Sequence, residues 1–155
     1  MHVVLVEPEI PPNTGNVARL CAATGAHLHL IEPLGFQLED KHLKRAGMDY
    51  WNHVTWKKWP HWSSFVDQMS PDSTLWLIES DGGKSYSEVS FGPDDYLVFG
   101  RETAGLPSAL IQQYREHWLR IPMMNQEARS LNLSNSVAIV LYEALRQQGF
   151  QGEVI

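Results

Sequence analysis

Six short apolar runs punctuate the chain, at residues 3–6, 28–31, 54–56, 75–78, 96–99 and 119–121. Several are unbroken, such as Val3-Val4-Leu5-Val6 and Tyr96-Leu97-Val98-Phe99, instead of alternating with polar residues. That pattern suits strands buried on both faces of a parallel sheet. The run at 54–56 is the weakest. Between the runs lie stretches with helical spacing. The first opens at Asn13-Thr14-Gly15, where Asn13 or Thr14 supplies a cap, continues through Val17, Leu20 and Cys21, and is stopped by Gly25. A second covers 41–46 and ends at Gly47, and two short ones cover 63–69 and 108–115. The last runs over 134–148, capped by Ser134 or Asn135, with Gly149 just beyond. Strands alternating with helices predict an α/β fold with a mostly parallel sheet flanked by helices. No repeat or linker divides the 155 residues, so 1–155 reads as one domain.

Composition adds constraints. With 43% hydrophobic and 19% charged residues the chain is of the ordered globular kind. Its first apolar run is four residues long, too short for a signal-peptide core or a membrane span. The single cysteine, Cys21, excludes an internal disulfide. A reduced, cytoplasmic protein with no membrane partner is expected. The net charge of −6 argues against a chain that coats itself with nucleic acid. It leaves room for a local basic face: Lys41, Lys44 and Arg45 fall within five residues, and Lys57-Lys58 follow. This run is either a set of phosphate contacts or a solvated helix face.

In open α/β sheets, ligands bind at the carboxyl ends of the strands. The predicted loops there are 7–16, 79–85, 100–107 and 122–135, and they hold most of the Gly, Pro, Asn and Ser for which the fold has no evident use. The last is the most telling. Arg129-Ser130-Leu131-Asn132-Leu133-Ser134-Asn135-Ser136 leads straight into an almost wholly apolar helix, and one cap needs only one side chain. The surplus marks a site, because a helix N-terminus offers free backbone N–H groups.

Several familiar sites are excluded. Ser80-Asp81-Gly82-Gly83-Lys84-Ser85 imitates a P-loop, but the pattern G-x-x-x-x-G-K-[ST] needs glycine where Ile78 stands. No G-x-G-x-x-G, G-x-S-x-G or H-E-x-x-H is present, and no Cys/His set has zinc spacing, so no metal is expected. His27 and His29 share a strand face and are packing or surface residues.

Three segments remain: Asn13-x-Gly15-x-x-x-Arg19; Phe99-Gly100-x-Glu102-x-x-Gly105-Leu106-Pro107; and Ile121-Pro122 through Ser130-Leu131-Asn132-Leu133-Ser134. Taken singly, Arg19 reads as well as a surface ion pair with Glu7 or Glu9, and Glu102 as a solvated turn residue. Taken together and in order, the segments resemble the three signature motifs of the SPOUT superfamily of RNA methyltransferases, in its TrmH-like 2′-O-ribose branch. Pro8-Glu9-Ile10-Pro11-Pro12-Asn13-Thr14-Gly15-Asn16 and Arg45-Ala46-Gly47-Met48-Asp49-Tyr50 are most similar to the TrmL group, which methylates the wobble ribose of certain tRNAs.

The resemblance implies a deep C-terminal trefoil knot that periodicity does not reveal, and a homodimer. It implies S-adenosylmethionine bound in the knot at Ile78, Gly100, Ile121, Met123 and Ser130, largely through their main chain. Catalytic or site-shaping roles fall on Arg19, Asn13, Glu102, Ser130 and Asn132. A guanidinium hardly deprotonates, so Arg19 is better read as binding a phosphate and polarising the 2′-hydroxyl. The tRNA anticodon loop would meet Arg19, Lys41, Lys44, Arg45 and Tyr142, although Tyr142 is equally placed for core packing. Arg101 departs from the family pattern, which has a small residue or proline there. Methylation of ribosomal RNA, a non-catalytic cofactor- or RNA-binding module, and a nucleotide-binding α/β protein with chance motifs are the alternatives.

Overall fold

The computed structural model describes residues 1–39, 41–47, 50–125 and 127–154, leaving aside the side chains of 44, 46 and 47. In chain order the elements are β1 (His2–Val6), α1 (Pro11–Thr24), β2 (His27–Ile31), α2 (Lys41–Gly47), β3 (Trp56–Trp59) and α3 (Trp62–Val66). There follow β4 (Leu75–Ile78), β5 (Lys84–Ser85), β6 (Tyr96–Phe99), α4 (Ser108–Gln113), β7 (Trp118–Arg120) and α5 (Leu133–Gln147). The seven strands form one sheet in the order β3-β2-β1-β6-β4-β7-β5, and every pairing is parallel.

Parallel pairing requires crossovers that cover both faces, which is why β1 and β6 tolerate no polar residue in their centres. Alternate residues feed two cores. Val3, Leu5, Leu97 and Phe99 face α1 and α5, meeting Val17, Cys21, Val137 and Leu141. Val4, Val6 and Val98 face the other way, onto Phe65, Trp59 and Leu110. Each such side chain, fully buried, contributes about 1.5–3 kcal/mol. Burial pushes the Cys21 thiol up to about 12, so it packs as a small apolar group.

Three expectations shift. The third strand lies over Trp56–Trp59 and not 54–56, because Trp59 is its buried residue and sits opposite Ile31. As an edge strand it carries Lys57 and Lys58 outward, which discourages pairing with another chain. Strand β5, only Lys84–Ser85, has no apolar signal and exists because Lys84 and Ser85 lie opposite Leu119 and Arg120 of β7. Finally, β7 spans Trp118–Arg120 instead of 119–121, and β7 is laid between β4 and β5, which residues 79–83 alone join. That connection crosses β7 in contact: a Cβ on Gly82 would collide with the Leu119 backbone, and Arg120 Nη1 donates to the Gly82 and Gly83 carbonyls at 3.2 and 2.6 Å. The interlacing accords with the knot that the resemblance implies.

At the amino end of the sheet, far from those loops in sequence, the histidines settle into an ordered cluster. The Trp59 indole N–H donates to His29 Nδ1 at 3.1 Å, so the His29 hydrogen sits on Nε2, 2.9 Å from His2 Nδ1. His29 packs on Phe65 and Tyr96, while His27 is exposed with its ring edge against His2. Burial first, then the charges of His2, His27 and Lys57, lower the His29 pKa to about 3. Burial, the chain's amino terminus and His27 lower that of His2 to about 4, against an opposing pull from Asp94.

Both folded pKa values lie below the ordinary 6.5. The unfolded chain therefore takes up more protons as the pH falls, and the folded state loses stability from about pH 6.5 downward until the cluster itself protonates near 4 to 3. Urea unfolding at a series of pH values should show that loss, and His29→Gln, which keeps an acceptor for Trp59, should flatten it.

Candidate active site

The carboxyl ends of β1, β4, β6 and β7 open onto one cavity of about 660 Å³, and all four loops singled out in the sequence line it. Ile78, Gly100, Ile121, Met123 and Ser130 are all on its wall, as are Asn13, Glu102 and Asn132. Eight residues marked from separate motifs are thus brought to one place.

A line of hydrogen bonds fastens the motifs together. The Glu102 carboxylate accepts from the Glu9 N–H (2.8 Å), the Ile10 N–H (3.1 Å) and Asn13 Nδ2 (3.2 Å). Asn13 Oδ1 in turn accepts from Asn132 Nδ2 at 2.9 Å. Asn132 Oδ1 then accepts from the N–H groups of Ser134 and Asn135 and from Ser134 Oγ, which caps α5. The α5 cap is therefore Asn132, two residues before Ser134 and three before Asn135, and the same side chain gives its amide N–H to Asn13. Helix α1 likewise departs from expectation. It starts at Pro11, with Pro12 next, and places the buried Asn13, Thr14 and Gly15 inside its first two turns. No side chain of its own caps it; Glu102, from the loop after the neighbouring strand β6, accepts the Glu9 and Ile10 N–H groups just before it.

Two glycines make the cavity possible. A Cβ on Gly100 would strike the Gly105 and Leu106 backbone, so the loop folds back on β6 only with glycine there. Gly105 has φ +66° and lies against the Glu79 carboxylate, which accepts the Leu106 N–H. Glu79 is a cavity residue that sequence reasoning missed. Burial and the nearby Asp81 raise its pKa, against the opposing Leu106 hydrogen bond. Its only sequence signal was its place directly after a buried strand. Glu9 was also missed as a fastener: its carboxylate accepts from Thr103 N–H and Oγ1, bonds that lower its pKa.

Other marked residues lie outside the cavity. Arg19 pairs with neither Glu7 nor Glu9; it is exposed on α1 with its guanidinium 5.0 Å from the centre of the Tyr50 ring. Lys41 and Arg45 are exposed on α2, which packs beside α1, and the Lys44 side chain lies outside the described residues. Tyr142 is 48% exposed and leans on Phe150, so it is not a core residue. Among the described residues no cluster of His, Cys, Asp and Glu could hold a metal, and no helix is long and apolar enough to cross a membrane.

An all-parallel α/β sheet with one strand laid beneath an earlier connection, and a cavity walled by that connection, defines the SPOUT class of methyltransferases. The chain belongs to the SpoU rRNA Methylase family, which residues 1–142 match. It is 51% identical over 152 residues to a tRNA (cytidine(34)-2′-O)-methyltransferase of Saccharophagus degradans, covering 97% of each chain. A solved structure concerned with 2-OH methylation of C/U34 on tRNA superposes with a TM-score of 0.92 at 43% identity, covering 96% of this chain and 95% of that one. The SpoU methyltransferase AviRb of Streptomyces viridochromogenes, solved with AdoMet, superposes at 0.83 with 25% identity, covering 96% of this chain and 60% of that one.

The Glu102 line has a measurable weight. Glu102→Ala leaves the Glu9 N–H and the Asn13 amide without an acceptor and should lower unfolding stability in urea by about 1–3 kcal/mol. Glu102→Gln, which retains one acceptor oxygen, should lose less. Equal stabilities for all three proteins would show that the line carries no load.

Proposed function

We propose that this protein transfers a methyl group from S-adenosylmethionine to the ribose 2′-hydroxyl of the wobble nucleotide, position 34, of tRNA. The observation that carries the reading is the convergence of three motifs on one cavity through the Glu102–Asn13–Asn132 line. Relatives matched over nearly their whole length act at the same tRNA position.

The cavity suits the cofactor. Its volume falls in the range of small-molecule sites. Glycine at 100 lets the 101–106 loop fold back and wall the cavity, and Ile78, Ile121, Met123 and Ser130 line it. The Glu79 and Asp81 carboxylates on its wall complement a cationic ligand. When bound, S-adenosylmethionine supplies an electrophilic methyl on a sulfonium.

The residues of the chain do the rest. Glu102 and Asn13 hold the first loop in place, and Asn132 holds the start of α5, so that cofactor and ribose meet in line. Arg19 binds the phosphate beside the target and polarises the hydroxyl, as a guanidinium that keeps its proton can. The Tyr50 ring beneath Arg19 steers it. Lys41, Lys44, Arg45 and Tyr142 form the surface that meets the anticodon loop, whose unstacked nucleotide is read by shape. The protein acts as one cytoplasmic SPOUT domain over 1–155, as a homodimer whose two copies build the RNA surface together. Ribosomal RNA is the second reading, favoured by the description of the family.

Incubation with tritiated S-adenosylmethionine and tRNA from a strain lacking the protein should place label on the 2′-oxygen of nucleotide 34, located by nuclease digestion and mass spectrometry. Arg19→Ala should lower the rate by about 100-fold or more. Label in ribosomal RNA alone would transfer the proposal to the second reading, and no cofactor binding at all would end both. Tyr50→Phe should keep the rate, whereas Tyr50→Leu should cost about 2- to 5-fold, the worth of an exposed cation–π contact.

A further inference from the structure

Arg101 stands just past β6 on the cavity wall, with the Glu7 and Glu9 carboxylates near its charge but no hydrogen bond to its guanidinium. Its backbone is fixed, exchanging hydrogen bonds of 3.1 and 2.8 Å with Gly105. The side chain is not. Nη1 lies 3.6 Å from Glu7 Oε2, beyond hydrogen-bond reach, and Nε is shut off from solvent without an acceptor. No N–H of this guanidinium makes a hydrogen bond among the described residues. Arg120 and Arg146, by contrast, each donate two hydrogen bonds, to backbone carbonyls and to Glu143. The Arg101 side chain is 39% exposed, so part of it remains open to a ligand.

The partner of Arg101 is itself unusual. Glu7 has φ +52°, a left-handed conformation that is rare without glycine. Its N–H is tied to the Ile31 carbonyl at 2.9 Å, which holds the strained residue in place. Strands β1 and β6 are neighbours in register, Leu5 opposite Phe99, so the turn at Glu7 and Arg101 emerge side by side. Backbone strain of this kind gathers at sites where a ligand is met.

We propose that Arg101 is an oxyanion-binding residue of this site, kept at the cavity wall by Glu7 until a ligand oxygen replaces that loose contact. The chemistry is a guanidinium fork closing on two oxygens of one anion. Two ligands of the proposed reaction carry such a group: a phosphodiester of the RNA beside the target ribose, and the carboxylate at the amino-acid end of the cofactor. The inference rests on the methyltransferase reading and adds to it a residue that acts on binding.

Isothermal titration with S-adenosylhomocysteine and with 5′-methylthioadenosine, and tRNA filter binding at several salt concentrations, separate the sources. Arg101→Gln, Arg101→Lys and the unaltered protein are compared. If the anion is a phosphate, Arg101→Gln weakens tRNA binding about 10-fold. It also reduces the salt slope by about one, and leaves S-adenosylhomocysteine affinity unchanged. If it is the cofactor carboxylate, S-adenosylhomocysteine binds about 10-fold more weakly while 5′-methylthioadenosine, which lacks that group, is unaffected. In either case Arg101→Lys, which keeps the charge, recovers part of the loss. Unchanged affinities and slope in Arg101→Gln would overturn the inference while an active unaltered protein left the methyltransferase reading standing. Equal losses in Arg101→Lys and Arg101→Gln together with a lowered Tm would mean a structural residue, which also overturns it.

Discussion

The Glu102 carboxylate fastens together three segments that lie far apart in the chain. It stands just past the end of β6, yet its hydrogen bonds run to the loop before α1 and, through Asn13 and Asn132, to the first turn of α5. Each link satisfies groups that would otherwise be stranded: two N–H groups before a helix that begins with prolines, a buried asparagine amide, and the free N–H groups of a second helix. Because every member is used by its neighbour, the line behaves as one unit, and the wall of the cavity that it forms is set before a ligand arrives.

The sheet prepares this arrangement. Seven parallel strands point their carboxyl ends in one direction, so the loops with polar residues converge without further steering. The insertion of β7 beneath the 79–83 connection then narrows the space between them. Close passage of backbone past backbone demands that Gly82 and Gly100 carry no side chain. The same crowding brings Glu79 under Gly105 and dries it enough to raise its pKa.

The negative balance of the chain is used locally in the same way. The Glu9, Glu79 and Glu102 carboxylates all accept hydrogen bonds from the loop segments they fasten. The exposed cations stand elsewhere, Lys41 and Arg45 on α2 beside α1 and Lys57 and Lys58 on the edge strand β3. An acidic chain can therefore present basic surface locally, because these carboxylates and the exposed cations occupy different parts of the molecule.

The strand–helix alternation, the parallel sheet and the four loops at its carboxyl end were legible in the chain, because unbroken apolar runs and Gly/Pro/Asn clusters are local properties. The residues of the cavity wall, from Ile78 to Asn132, were legible only as motifs in order; local chemistry alone left Glu102 a plausible surface residue. What escaped was what another segment decides. Asn132 displaced Ser134 and Asn135 as the cap because Asn13 lies beside it. Strand β5 exists because β7 is there to pair with. Arg19 found Tyr50 and not Glu7, since Glu7 faces Arg101 across adjacent strands. Periodicity is written by each residue's own polarity and burial, which the chain carries along its length. Partnership depends on which distant backbone arrives alongside, and that is settled only when β7 and α5 close over the connections made before them.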